Sequence, residues 1–365
     1  MALRTEICDR LGLDVPIFGF AHSIEVTAAI SKAGGLGVFG ATRDTPDEIT
    51  EKLGQLREMV GKRPFGVDLV LPPGMPDFDD REAIEEQIPE EHRSFVEDLA
   101  ERYQVPPPSG PGMRSRFVRS EEMSAKQIEA VLASDVDLFA CGIGMPVDVV
   151  TRAKEDGKKT LALVGAPRHA QAALTAGADI LVAQGYDAGA HTGVIGTLSL
   201  IPQIVEMAGE VPVLAAGGIA TGGQIVAALA MGAQGVWLGT AWLATLEHDL
   251  DDILVEKILA AGSRDTVISR ADSGKTLRQI RSAWSDEWSA EKAPKPLSMP
   301  YQDILVGDLL GAINEHRIES LMHHPAGQSI AFVNERSTVA VVMERLVAGA
   351  EEALVRLETL ARPGS

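Results

Sequence analysis

The side chains best suited to chemistry gather in one string, Gln184, Gly185, Tyr186, Asp187, Ala188, Gly189, Ala190, His191, Thr192 and Gly193. A histidine in such a loop can accept or donate a proton near neutral pH. The small residues around it allow a flat ring to lie against the backbone. A lone loop histidine also serves as a purely structural hydrogen-bonding group, and both readings stand at this point. Two further strings are rich in glycine: Ala216–Gly217–Gly218–Ile219 and Gly239–Thr240–Ala241. Each follows an apolar run and leads towards a helical pattern. Glycine lets backbone N–H groups approach an anion closely, and a helix start adds partial positive charge. Two such turns on adjacent strands make the usual phosphate site of a parallel barrel; ordinary turns without a ligand are the alternative.

The elements that must position these strings recur along the chain. Eight short apolar runs read as buried strands, at 15–19, 36–39, 65–70, 136–140, 160–164, 179–183, 211–215 and 235–239. Helical patterns fill several gaps, at 23–33, 168–176 and 221–231, each stopped by glycine. Strands alternating with helices call for a parallel sheet, and eight units close a (β/α)8 TIM barrel. An open doubly wound sheet is the alternative, but no GxGxxG follows the first run. Two gaps exceed one helix. Residues 72–120 hold an acidic helical stretch at 79–103 and the run Pro106–Pro107–Pro108–Ser109–Gly110–Pro111–Gly112. They read as a solvated excursion or as a cover over the barrel mouth. Residues 246–325 read as a helical lid subdomain carrying Trp284 and Trp288. The expected division is therefore a barrel from 1–245 and 326–365, closed by an amphipathic helix at 337–360, with the lid between.

Composition narrows the function classes. The 365 residues carry 33 Lys+Arg against 52 Asp+Glu, a net of −19, so neither nucleic acid nor an anionic membrane is an expected partner. The basic run from Arg114 to Arg119 is too short to reverse this. Two distant cysteines, Cys8 and Cys141, without a CxxC argue against a disulfide framework or structural zinc site, and no other metal site is expected. The first ten residues hold no apolar signal core, and the expected location is the cytoplasm. Only 4% of residues are aromatic, so the core must rest on Ala, Val, Leu and Ile.

Taken together, the string 183–193, Ala216–Gly217–Gly218–Ile219 and Gly235–Val236–Trp237–Leu238–Gly239–Thr240 resemble the nitronate monooxygenase family, formerly called 2-nitropropane dioxygenase. Pro16–Ile17, Ala33–Gly34–Gly35–Leu36–Gly37 and Pro325–Ala326–Gly327–Gln328 also match. The resemblance spans most of the chain except the acidic insertion, and the His191 loop is its most specific part. It implies a barrel that binds FMN non-covalently and oxidises alkyl nitronates with O2 to a carbonyl compound and nitrite. The flavin phosphate would rest on backbone N–H groups of Gly217, Gly218, Gly239 and Thr240, beside Trp237 and Leu238. Gln184 and Gly189 would flank the ring, and Phe20 and Ala21 would contact it. His191 would act as base or as electrostatic partner of the substrate anion. A small-molecule substrate and O2 are the implied partners, and a homo-oligomer is left open. Two alternatives remain: an NAD(P)H-dependent FMN reductase of a quinone or enoyl thioester, and a flavin-free barrel isomerase or lyase that binds a phosphorylated substrate.

The sequence departs from the family pattern at Asp68, where an asparagine often reads the flavin pyrimidine edge. Asp68 is expected to be protonated or paired, with His22 as the candidate partner. His22 stands where a small residue is expected and is a candidate second acid/base. Cys141 is read as small packing near the site, His169 as a surface or capping residue, His323–His324 as loop, and Trp284 and Trp288 as core or pocket lining.

Overall fold

Residues 3–361 are described by the structure, a computed structural model; positions 1–2 and 362–365 of the expected barrel segments lie outside the described residues. The apolar runs form strands β1 (Ile17–Ala21), β2 (Leu36–Gly40), β3 (Phe65–Val70), β4 (Leu138–Gly142), β5 (Lys159–Val164) and β6 (Ile180–Gln184). A two-residue strand, β7 (Ala190–His191), precedes β8 (Val213–Ala216) and β9 (Gly235–Leu238). Strands β1 to β6, β8 and β9 close a parallel barrel in chain order, β9 pairing back onto β1. This is the (β/α)8 fold. Several strands start later than the runs suggested, by two residues at β1 and β4. A run buried on both faces has no polar alternation to mark its ends.

Two apolar layers hold the barrel. Phe18, Val38, Leu138, Leu161, Val182, Leu214 and Trp237 fill the interior, plugged at the amino end by Ile7, Cys8 and Leu13. A second layer seats the outer helices, including the C-terminal helix Val339–Ala361, on the strands. That helix crosses the helix Gly222–Ala230 closely. A Cβ at Gly222 would lie 1.9 Å from the Ala350 backbone nitrogen, so only glycine fits there.

The long excursions differ from expectation in detail. The acidic stretch is two helices, Arg81–Glu86 and Glu90–Arg102, rather than one. Pro89 separates them, because proline disfavours helical backbone in the residue before it and cannot donate to the preceding turn. The later excursion contains helices Asp252–Ala260, Ala283–Trp288 and Tyr301–Glu315, and also a hairpin of β10 (Thr266–Ser269) and β11 (Leu277–Ile280). The excursions share one apolar cluster: Leu99 from the first packs with Trp284, Trp288, Val306 and Leu310 from the second. Both tryptophans are buried there. No helix among the described residues is long and apolar enough to cross a membrane.

Candidate active site

A cavity of about 1180 Å³ opens at the carboxyl ends of the strands, beneath the excursions. Another, of about 110 Å³, lies at the amino end beside Glu6 and Arg10, away from the candidate site residues.

The His191 loop enters the large cavity as a pinned strand and not as a free loop. β7 pairs antiparallel with β11, His191 opposite Leu277 and Ala190 opposite Arg278. Buried Arg278 donates from Nη2 to the Tyr186 carbonyl (3.0 Å) and stacks on the Tyr186 ring. Thr192 Oγ1 donates to the Gly185 carbonyl at 2.8 Å, and Gln184 Nε2 to the His191 carbonyl at 2.5 Å. Gln184 thus fixes the histidine backbone. Ala190 has φ +58°, a left-handed conformation that costs energy in a non-glycine residue and is held by these neighbours. The imidazole Nε2 lies 2.9 Å from Ser273 Oγ. Burial first, then Arg114, Arg119 and Arg43, lower His191 to about 3, so its ring is neutral at neutral pH.

The glycine turn after β8 makes a backbone cradle. Gly217 and Gly218 have φ of +99° and +73°, which side chains rarely adopt. A Cβ on Gly217 would press on Thr197 Oγ1 and the Ala188 amide. Among the described residues, the Gly217 and Gly218 N–H groups have no acceptor within the chain. Thr221 and Gln224 cap the following helix reciprocally, and Gln224 Nε2 also donates to the Gly218 carbonyl. After β9 the expected helix is a single 3-10 turn, Thr240–Trp242, so that side of the cradle lacks the dipole of a full helix. Gly239 remains open, with no atom within 4 Å of an added Cβ. The motif at 325–328 ties these pieces together. Gly327 N–H donates to Thr240 Oγ1 at 2.8 Å, and Gln328 N–H to the Asp187 carbonyl at 2.9 Å. Gly189 backs onto Ala326 so tightly that a Cβ would lie 2.7 Å from its carbonyl carbon.

The strand ends supply an apolar wall and a carboxyl group. Phe20, Ala21, Trp237 and Leu238 all line the cavity, with Phe20 stacked on Trp237. Asp68 is 4% exposed, its Oδ1 has no partner, and burial raises its carboxyl well above the ordinary range. Burial therefore favours its protonated form, and it makes no hydrogen bond with His22. His22 turns instead to the Gly40 carbonyl, to which Nδ1 donates at 2.8 Å, leaving Nε2 as an acceptor in the cavity. Its pKa is lowered to about 4 by the surrounding protein, although the ring meets cavity solvent. Cys141 lines the cavity with its thiol raised chiefly by burial, which makes it a poor nucleophile. His169 lies in the first turn of the helix Pro167–Ala176, at the cavity edge.

The residues that sequence reasoning missed are cationic. Arg43, Arg114 and Arg119 line the cavity that holds His191. Arg114 pairs with Asp272 at 3.1 Å and with Asp303 at 3.4 Å. Asp272 also contacts His323 Nε2 and accepts from Trp284 Nε1, both at 3.1 Å, and these partners hold its carboxyl below the usual range despite burial. His324 donates from Nδ1 to the Pro325 carbonyl and is lowered by burial to about 3. The run around Arg114 was visible in sequence, but nothing local tied it to Arg43 or Asp272.

Comparison with known proteins agrees with this architecture. The family model described as nitronate monooxygenase matches residues 14–349. A Mycobacterium tuberculosis protein described as a monooxygenase is 42% identical, over 86% of each chain. A Staphylococcus aureus protein described as a nitronate monooxygenase is 27% identical, over 89% of this chain and 92% of its own. Among solved structures, nitroalkane oxidase from Streptomyces ansochromogenes is similar with TM-score 0.81 and 29% identity, covering 96% of this chain and 99% of its own. FabK from Thermotoga maritima is similar with TM-score 0.77 and 26% identity, covering 98% and 99%.

Proposed function

Because the chain belongs to the nitronate monooxygenase family, and is an oxidoreductase, we propose that it binds FMN and oxidises alkyl nitronates with O2 to a carbonyl compound and nitrite. The observation that carries this reading is one cavity holding both an unpaired glycine cradle and a fixed, neutral histidine. The donor set fits a flavin mononucleotide. The amides of Gly217 and Gly218 would hold its phosphate, with those of Gly239 and Thr240 beside them. Phe20, Ala21, Trp237 and Leu238 offer an apolar wall for the ring, and Gly189 and Gln184 border it. Asp68, protonated, can donate one hydrogen bond to the ring system and accept another, which approximates an amide. When bound, the flavin supplies acceptance of electrons from the substrate and their transfer to O2.

The chain's own residues bind and orient the anion. A nitronate is an oxidisable carbanion equivalent and arrives negatively charged, so no proton need be removed to start. Neutral His191, held by β7 and Ser273, is within the cavity to donate a hydrogen bond to it. The anion's charge offsets the guanidinium groups that lower His191, so the ring can take up a proton as the substrate binds. The excursions cover the mouth as a lid and limit water. Free, buried Cys8 and Cys141 suit a reducing, cytoplasmic setting.

The test is oxygen consumption with a preformed nitronate by protein carrying its visible flavin. Turnover that stops in His191→Asn without flavin loss supports the reading; colourless protein that takes up no FMN contradicts it. A second reading, a nicotinamide-dependent reductase, is supported by the full-length likeness to FabK. It predicts rapid anaerobic bleaching of the flavin by NADH or NADPH.

A further inference from the structure

The hairpin that pins the His191 backbone also supplies the partner of its ring. Residues 270–276 join β10 to β11, and β11 pairs with β7. This turn is held on several sides. Gly274 N–H donates to the Arg270 carbonyl at 2.8 Å, and Gln302 Nε2 donates to the Ala271 carbonyl at 2.7 Å. Gly274 has φ +74°, and an added Cβ would strike the Leu297 carbonyl oxygen. Ser273, 1% exposed, stands in the turn with its Oγ 2.9 Å from His191 Nε2. The adjacent carboxylate, Asp272, is committed elsewhere, to Arg114, His323 and Trp284. A hydroxyl, which can donate, therefore occupies the place where a carboxylate could only accept and would draw the ring proton to Nε2.

The direction of that hydrogen bond follows from the partners of each group. Ser273 Oγ accepts from the Lys275 N–H at 3.4 Å, and apart from His191 no described residue offers its hydroxyl an acceptor. A buried hydroxyl left without an acceptor costs free energy. The His191 ring is neutral, through burial and then Arg114, Arg119 and Arg43, so it carries a single proton. Were that proton on Nε2, it would point at Ser273 and leave the hydroxyl proton unpaired. With the proton on Nδ1, the Ser273 O–H donates to Nε2 and is satisfied. Nδ1 has no partner among the described residues and is open to the cavity that the ring lines. We propose that Ser273 is a positioning residue whose hydroxyl donates to His191 Nε2 and so presents Nδ1–H to the substrate. The cavity then meets a donor without a lone pair. Such a ring holds an anion that arrives already formed and takes no proton from the carbon of a neutral nitroalkane. Uptake of a second proton occurs at Nε2, once the hydroxyl turns to accept. The tautomer follows from the hydrogen-bond geometry; its use on a nitronate rests on the proposed function.

Two measurements test it. NMR of the purified protein with nitrogen-labelled histidine reads the tautomer, the His191 signals being identified by their loss in His191→Asn. The expected wild-type pattern is a protonated Nδ1 and an unprotonated Nε2; the reverse pattern overturns the assignment without recourse to variants. The pattern should shift towards Nε2–H in Ser273→Ala and return in Ser273→Thr, a response that lost packing alone does not produce. An unchanged pattern in folded Ser273→Ala overturns the role of Ser273. The second measurement compares steady-state kcat/KM for ethylnitronate and nitroethane. Wild type is expected to favour the nitronate by about 100-fold or more. Ser273→Ala should lose about tenfold on the nitronate at equal flavin absorbance, and Ser273→Thr should recover it. Equal kcat/KM for the two compounds in wild type overturns the donor role. If Nδ1–H is seen in wild type and lost in Ser273→Ala, but neither compound is oxidised, the tautomer stands and the nitronate reading falls. If the nitronate is oxidised while wild type shows Nε2–H, the role of Ser273 alone falls.

Discussion

Burial and three neighbouring guanidinium groups keep His191 neutral, and that condition has consequences beyond catalysis. Replacing His191 by Asn removes a group positioned to share a proton with the substrate, and kcat/KM for a nitronate should fall about 100-fold; equal flavin absorbance in variant and wild type checks that the cradle is intact. His191, His324 and His22 all titrate below the ordinary histidine range. Between roughly pH 6.5 and the folded values the unfolded chain binds protons that these sites refuse, so stability is full above that window and is lost as pH falls. The slope is at most about 1.4 kcal/mol per pH unit for each of His191 and His324, and less for His22, whose ring meets cavity water. Urea midpoints at pH 7 and pH 5 measure it. Asp68 works in the opposite sense. Its folded pKa is raised, so its contribution is present at acid pH and declines as pH rises through the folded value. Asp68→Asn should therefore gain stability relative to wild type with increasing pH, read from Tm between pH 5 and pH 9; a gap that does not grow would mean Asp68 is ionised. His191 was legible in the sequence because its loop is a contiguous string. Arg43, Arg114, Arg119 and Asp272 were not, because the excursions bring together positions that no local pattern connects.

The strands were legible where a short, largely apolar run is bounded by strand-breaking residues, as at β3 between Pro64 and Pro72, whose limits match the sequence reading. Elsewhere their ends moved by one or two residues, since runs buried on both faces do not mark where pairing starts. β7, β10 and β11 escaped notice because each is short and takes its shape from its neighbours. That pairing nevertheless holds His191. Helix starts were easier to read, because caps are local chemistry. Thr221 and Gln224 form a complete capping box at the head of the helix behind the glycine cradle, and Thr221→Ala should cost about 1 kcal/mol and weaken FMN retention. Close packing between elements was invisible at Gly222. Gly222→Ala forces a methyl into the backbone of the C-terminal helix, and its expected cost of about 3 kcal/mol appears in thermal unfolding.

At the scale of the molecule, a barrel of small and branched residues supplies a rigid rim, and two excursions joined by one apolar cluster enclose the space above it. The net charge of −19 argued against polyanionic partners, but composition gave no sign that three arginines gather at the mouth. A cavity lined by three arginines, with a neutral histidine and a glycine turn of unpaired amides, suits a small anion meeting the phosphorylated cofactor we propose. The most direct test is anaerobic mixing of the purified holoenzyme with a nitronate, and separately with NADH, while the visible flavin band is followed. The account predicts rapid bleaching by the nitronate, slow or no bleaching by NADH, and return of the band when O2 is admitted. Rapid bleaching by NADH with none by the nitronate would contradict it.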